Sequence, residues 1–532
     1  MTAKSVVLPF AVALASAALT WATMAICRRY GWVVAPRPDR WHRKAVAQFG
    51  GLAILLSFVV TGAVIHPESR LSRLLAFTFI IGMVGLWDDI RSWRPIAKLL
   101  AQVIIASVTV YLGVVYPFRS AAWINVCFTV FWIVGITNAF NLLDNMDGLA
   151  AGVGAIAAVI LAFLANDPAL RLANLMFAGA LAGFLVFNFK PAKIFMGDTG
   201  SLVIGYYLGC ASVLATQHLS TVTSILFIPV LVLFIPVFDT ALVSVTRRLH
   251  GRAISAGARD HTSHRLVLMG ISETRAVLLL YALAVLSGAV AVLCKRMWPE
   301  QGLGLLGVFL LIATLFWVHL ARLRLPDEYL SRTNVFTLLL PALLQSAVSK
   351  IGTILLDMCV MALSLYLAFL LRFGHLAGTQ IPEYLALCLI ALMVKLPPLA
   401  LYGTYREDSR LSRRYFYVIV KSAIVSSLAF VTAAVFLNRF DYSLRAVFAI
   451  DALLTIVMLT GVRWSGEMFD HVLRSVSRPG FERLRLVSRA AAEKERAAIS
   501  AVPTYFGELA GVQERIPPEH LRARSASAGG IS

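Results

Sequence analysis

Apolar runs long enough to cross a bilayer, for which about 20 residues are needed, recur along the chain from Val6 to Val462. About fifteen can be traced at that length requirement. The first opens at Val6, carries no cleavage-site pattern and is closely followed by a second, so it reads as a retained membrane helix and not a signal peptide. The polar breaks between runs are unequal. Arg28, Arg29, Arg37, Arg40, Arg43 and Lys44 follow the first run, and alternate breaks carry Arg91, Arg94 and Lys98, then Lys190 and Lys193, then a set from Arg247 to Arg265. The intervening breaks are poor in basic residues. Basic loops face the cytoplasm, which places the N-terminus outside.

A shift in composition divides the chain. The runs are dense up to His319, a polar stretch at 322–332 interrupts them, and a further four follow between Ile351 and Val462. Beyond Arg463 the chain turns polar and basic and ends in SASAGGIS, the composition of a disordered tail. The expected architecture is an all-α polytopic membrane protein. A first domain (1–325) would hold about eleven transmembrane helices, a second region (326–475) about four more, and 476–532 would form a cytoplasmic tail. Composition agrees: 59% of the 532 residues are hydrophobic and 14% charged, with a mean hydropathy of +0.79, which excludes a string of soluble domains. The net charge of +20 would point to nucleic acid in a soluble protein, but here it fits basic loops beside anionic lipid, so the bilayer and not nucleic acid is the expected partner. Six scattered cysteines without a CxxC or CxxH pair imply neither disulfides nor zinc.

The acidic and amide residues of the first domain fall in the same basic loops. Four clusters stand out: GLWDDIR (85–91), NAFNLLDNMDGL (138–149), NFKPAKIFMGDTGS (188–201) and RDHTSHRL (259–266). Asp88 and Asp89 repel each other at a helix end, which a divalent cation or a lysine would offset; a solvated helix end with Asp89 paired to Arg91 is the plain alternative. Asn141, Asp144 and Asp147 share one face of a helical turn and suit a metal or a polar ligand, or simply cap the helix at Gly148. Asp198 lies between Gly197 and Gly200, where a helix start favours anions and a carboxylate would hold a cation against a phosphate. His261 and His264 stand among arginines without a third zinc ligand, which favours contact with a sugar diphosphate, or with lipid headgroups, over zinc. Together these hard oxygen ligands and cations on one side of the membrane fit Mg²⁺ and phosphates. A proton-coupled transporter would bury its ionisable groups at mid-membrane, and the residues placed for that, Asp357, Lys395 and Asp451, are all in the second half.

These motifs, in this order over 1–325, resemble the polyprenyl-phosphate N-acetylhexosamine-1-phosphate transferases; a basic loop ending in Gly50-Gly51, Lys98 and Gln102 after GLWDDIR, and PVFDT at 236–240 extend the likeness. The resemblance implies transfer of a sugar 1-phosphate from a UDP-N-acetylhexosamine to undecaprenyl or another polyprenyl phosphate, releasing UMP and starting a lipid-linked cell-surface glycan. It implies Mg²⁺, with Mn²⁺ as a substitute, in a multi-pass bacterial inner-membrane enzyme with a cytoplasmic active site. Asp88, Asp89 and Asp198 match the catalytic carboxylates. Asp88 would deprotonate the lipid phosphate or, in a covalent scheme, attack the donor, and Asp198 with Asp88 would ligate the metal. Lys98, Asn141, Asp144, Asp147, Asn188 and Phe195 match substrate-pocket positions, Phe195 stacking on uracil, and His261, His264 and Arg265 match the loop at the sugar and phosphates. Two positions depart from the pattern: Ser263 stands where many relatives have a third histidine, and Asn145 where they have glycine. The first opens the identity of the sugar, so a modified deoxy-N-acetylhexosamine is an alternative donor. From another class, a non-catalytic scaffold or flippase would have no need of the paired acids.

The second half resembles the membrane part of polysaccharide-biosynthesis nucleotide-sugar dehydratases and epimerases, through LLDMCVMALSLYLAFLLRFG (355–374) and LYGTYR (401–406). The glycine-rich dinucleotide turn that would follow is missing at 483–493. A docking role is expected for these helices, in a homodimer or with a glycan-assembly partner.

Overall fold

The computed structural model describes residues 4–34, 45–64, 69–118, 121–219, 222–249, 260–297, 299–321, 335–374, 381–402, 413–438 and 444–476. The interrupting stretch 322–332, most of the first basic loop and the tail from 477 lie outside them. Everything in the first domain is arranged around one helix, Gly197–Thr216, which is α8 in chain order. Of its membrane-span residues 94% are buried. Its sequence explains why: Gly200, Gly205 and Gly209 and several hydroxyl side chains favour protein neighbours over lipid, as small residues do in membrane interfaces.

Around it, α1 (Lys4–Tyr30) leads to a two-residue hairpin, β1 (Val33–Val34) with β2 (Val46–Ala47), then α2 (Gly50–Val64), α3 (Ser69–Ile90), α4 (Pro95–Tyr111), α5 (Ala122–Leu143), α6 (Leu149–Leu164) and α7 (Pro168–Asn188). After α8 come α9 (Val222–Val232) and α10 (Phe234–Leu249), bent by 87° at their break. The short α11 (Thr262–Leu268), then α12 (Glu273–Arg296) and α13 (Pro299–Ala321), close the domain. Among the described residues seven of these helices are long and apolar enough to span a membrane, or eight if the bent pair is one span; α2, α4 and α6 hold shorter apolar helices. The eleven apolar segments read from the sequence are thus all helical, but fewer than eleven reach spanning length.

Close helix approach is written in glycines. A Cβ at Gly85 of α3 would lie 2.7 Å from the backbone of Asp198 and Thr199, and one at Gly205 would lie 2.6 Å from Thr137 of α5. On the other side of the domain α1 crosses α7 where Gly179 and Gly183 face the carbonyls of Pro9 and Ala13, and Ser16 donates to the Ala180 carbonyl at 2.6 Å. A backbone seam ties the start of the domain to its middle. Phe195 N–H donates to Ala47, and Gly50 and Gly51 N–H to Phe195 and Met196, each at 2.9 Å.

The second region is a four-helix unit, α14 (Val335–Phe373), α15 (Ile381–Leu401), α16 (Arg413–Asn438) and α17 (Arg445–Val476). It has its own core, including Leu365, Phe369, Leu387, Phe430 and Val447, and joins the first domain where α13 packs on α14 and α17. Its buried ionisable residues are matched in pairs. Lys395, fully buried, donates to Asp451 at 2.5 Å and Thr455 at 2.9 Å and lies 4.8 Å over the Phe430 ring. Asp451 also accepts from Ser364 at 2.7 Å, and Arg463 donates to Asp357 at 2.5 Å.

Two outcomes are expected. Gly85→Val should wedge α3 from α8 and destabilise the detergent-solubilised protein by about 1–3 kcal/mol, as overpacking does, whereas Gly135→Ala, whose Cβ would meet open space, should be neutral in thermal denaturation. Lys395→Met alone should cost about 3–5 kcal/mol by stranding Asp451, and the double replacement Lys395→Met, Asp451→Leu should recover most of it.

Candidate active site

The four polar clusters of the first domain meet at one end of α8. Gly197 opens that helix at φ +67°, a backbone region natural only to glycine, and a Cβ there would lie 2.6 Å from Asp89. Asp89 caps the helix: its Oδ1 accepts from Asp198 N–H at 2.7 Å, and its Oδ2 from Thr199 N–H at 3.0 Å and Thr199 Oγ1 at 2.6 Å. A carboxylate at a helix N-terminus satisfies otherwise orphaned amides and meets the positive end of the dipole. Asp89 was expected among the reacting acids; in the structure both its oxygens are occupied in placing the next residue.

That next residue, Asp198, faces Asp88 across a single ammonium. Lys98 Nζ donates to Asp88 Oδ2 at 2.9 Å and to Asp198 Oδ2 at 2.6 Å. The other oxygen of Asp88 accepts from Trp93 N–H at 2.6 Å, and that of Asp198 from Asn141 Nδ2 at 2.5 Å. Asn141 also donates to Ser201 Oγ at 2.9 Å. Two acids therefore direct hard oxygen atoms at one positive charge.

Asp144, just past the end of α5, is half-buried and makes no hydrogen bond through its side chain. Burial first, and then the carboxylates of Asp198, Asp89 and Asp147, push its carboxyl up to about 7. Asp147 and Asn188 are placed differently. Asp147 Oδ2 accepts from Ala192 N–H at 3.0 Å. Asn188 accepts from Gly148 N–H at 3.1 Å and donates to the Ile194 carbonyl at 2.9 Å. The sequence reading put both in contact with substrate; here they bind the 141–148 loop to the 188–197 loop, with Phe195 held half-buried on the backbone seam to residues 47–50.

The histidine segment joins the same loop. Ser263 Oγ donates to Asn145 Oδ1 at 2.6 Å, and Asn145 Nδ2 donates to Leu142 at 2.9 Å, so the two positions that depart from the resembled pattern are bonded to each other. His261 and His264 are buried with ring centroids 6.3 Å apart. Arg265, read as a substrate contact, is 3% exposed and is bonded to the protein instead. Its guanidinium donates to the carbonyls of Asp260 at 2.8 Å and Leu320 at 2.9 Å and to Thr246 Oγ1 at 3.2 Å. Arg247 holds Asp260 with two bonds of 2.8 and 2.7 Å, and this partner keeps the Asp260 carboxyl below its usual range although burial opposes it.

Two polar residues carried the likeness in the sequence without being given a role there. Asp239, on α10, accepts from His261 and Thr262. Gln102, one helical turn beyond Lys98, accepts from Asn138 at 2.5 Å and leaves its buried Nε2 with no protein acceptor. A carboxylate inside the apolar stretch FIPVFDTALV is costly without a purpose, and that was the available signal for Asp239.

The raised carboxyl of Asp144 has a consequence for stability. Its ordinary value is 3.8 and its folded value about 7, so between these the folded state binds more protons than the unfolded. Metal-free protein should lose stability as pH rises from about 4 to about 7, and Asp144→Asn should flatten that dependence of Tm.

Comparison with known proteins places this arrangement. The profile of glycosyl transferase family 4 matches residues 71–216, the span from α3 through α8. The chain is 36% identical over 304 residues to a probable undecaprenyl-phosphate N-acetylglucosaminyl 1-phosphate transferase of Bacillus subtilis, covering 54% of this chain and 83% of that protein. It is 32% identical over 299 residues to a decaprenyl-phosphate N-acetylglucosaminephosphotransferase of Mycolicibacterium smegmatis, covering 48% and 73%. It is 33% identical over 271 residues to a phospho-N-acetylmuramoyl-pentapeptide-transferase of Staphylococcus aureus, covering 45% and 82%. With the motifs in order and their acids converging on one helix end, the chain belongs to glycosyl transferase family 4, among the polyprenyl-phosphate N-acetylhexosamine-1-phosphate transferases.

Proposed function

We propose that the protein transfers an N-acetylhexosamine 1-phosphate from a UDP-sugar to undecaprenyl phosphate, or a similar polyprenyl phosphate, at the cytoplasmic face of a bacterial inner membrane. UMP is released and a lipid-linked cell-surface glycan begins. The observation that carries this reading is the Asp88–Lys98–Asp198 bridge, with Asp144 unbonded beside it.

The acid set fits Mg²⁺. Among the described residues no three of His, Cys, Asp or Glu are grouped closely enough to enclose a metal alone. Mg²⁺ is usually held by one or two carboxylates with water and substrate phosphates, and Asp198 and Asp88 already direct their oxygens at one cation. When bound, it would neutralise charge on the donor diphosphate.

The acceptor phosphate monoester is itself a nucleophile. Its oxygen bonds to the sugar-bearing phosphorus, the bond from that phosphorus to the bridging oxygen breaks, and UMP leaves with that oxygen. Because the acceptor is already nucleophilic, direct attack needs no covalent step on the protein, and Asp88, held by Trp93 N–H and Lys98, need only orient the lipid headgroup or take its last proton. Lys98 offers its charge to transferring oxygens. Holding the two substrates in register supplies much of the acceleration.

A modified deoxy-N-acetylhexosamine as donor is the second reading; it rests on the departure at Ser263, which spends its hydroxyl on Asn145, the other departing position. The second region is read as a docking module for another copy or a glycan-assembly partner.

Full-length protein in lipid, given undecaprenyl phosphate, Mg²⁺ and a panel of UDP-N-acetylhexosamines, should release UMP with one donor. Asp88→Asn and Asp198→Asn should each lower kcat by about 10²-fold or more, and chelation should abolish release until Mg²⁺ is restored. No release with any donor from folded protein, or release indifferent to Asp198→Asn, would overturn the assignment.

A further inference from the structure

Asp239 holds one ring nitrogen of His261 and leaves the other unbonded. It lies on α10, 1% exposed, and its Oδ2 is 2.8 Å from His261 Nδ1 while its Oδ1 accepts from Thr262 N–H at 2.6 Å. A carboxylate accepts only, so the proton of a neutral imidazole is on Nδ1 and Nε2 is left as the free nitrogen. Nε2 makes no bond to the protein, yet it is not among the sealed, unsatisfied atoms of the described residues. The ring is thus anchored at one end and open at the other. Two residues on, Ser263 is bonded to Asn145, the neighbour of Asp144, so the open nitrogen belongs to the segment that borders the acidic site.

We infer that Asp239 is a positioning residue: it fixes the tautomer and orientation of His261 so that Nε2 meets the phosphate or sugar of the nucleotide-sugar donor. The inference rests on the transferase reading above. A buried carboxylate does this for an imidazole wherever the ring must present one nitrogen in one state.

Asp239→Asn separates this role from a structural one. The amide oxygen still accepts from Thr262 N–H, but an NH₂ group now faces His261, which moves the neutral-ring proton to Nε2 and removes the matching charge. In full-length protein in lipid, the donor KM for UMP release should rise roughly tenfold with kcat little changed. In a His261→Phe background the same change should add nothing, because a residue that acts through another loses its effect when the other is gone. An equal KM increase in both backgrounds, or no increase in either, overturns the inference. A ¹⁵N spectrum of histidine-labelled protein decides independently of turnover: His261 should carry its proton on Nδ1 in the parent and on Nε2 in Asp239→Asn, and an unchanged tautomer rejects the role. If the parent releases no UMP from any donor, the transferase reading falls, and the tautomer still tests the Asp239–His261 link.

Discussion

Acidic groups at the edge of a membrane repel one another and lose hydration, and the site is organised around offsetting that repulsion. Asp88, Asp89, Asp144 and Asp198 are gathered at the start of α8, and three different devices hold them there. Asp89 is neutralised by the amides and hydroxyl of a helix N-terminus, Asp88 and Asp198 by the shared Lys98 ammonium, and Asp144 by keeping its proton near neutrality. The close crossing of α3 and α8 at Gly85 is the geometric condition for all three, because a larger residue there would push Asp89 off the helix it caps.

The same economy explains why α8 is the most enclosed span. A helix whose first turn holds Asp198 between Lys98 and Asn141 cannot drift in lipid. Glycines bring α3, α5 and α2 against it, and the backbone seam from residues 47–51 to 193–196 fixes the approach to its first turn. The bent pair α9 and α10 then carries Asp239 and Arg247 to the histidine segment, giving the second wall of the site its own carboxylates.

Much of this was legible in the chain. Hydropathy gave the membrane class, and motif order gave the family and the acids that converge, since Asp88, Asp144 and Asp198 stand in short polar islands. The rest was hidden for physical reasons. Lys98 meets partners 10 and 100 residues away, a distance no local pattern records. Asn188 and Arg265 look like ligands for a substrate because polar side chains in a pocket loop and in a pocket wall have the same composition, and only the hydrogen bonds to Gly148, Ile194, Asp260 and Leu320 separate them. Asp239 sits in an apolar helix where burial hides its purpose. In the second region the lone charges that might have marked a transport path, Lys395 and Asp451, turned out to neutralise each other.

The bond from Arg265 to the Leu320 carbonyl reaches across the end of the transferase domain. The last turn of α13 is therefore part of the histidine segment's support as well as the bridge to α14. A cut that left α13 with the second region would take from the histidine segment the Leu320 carbonyl that Arg265 holds.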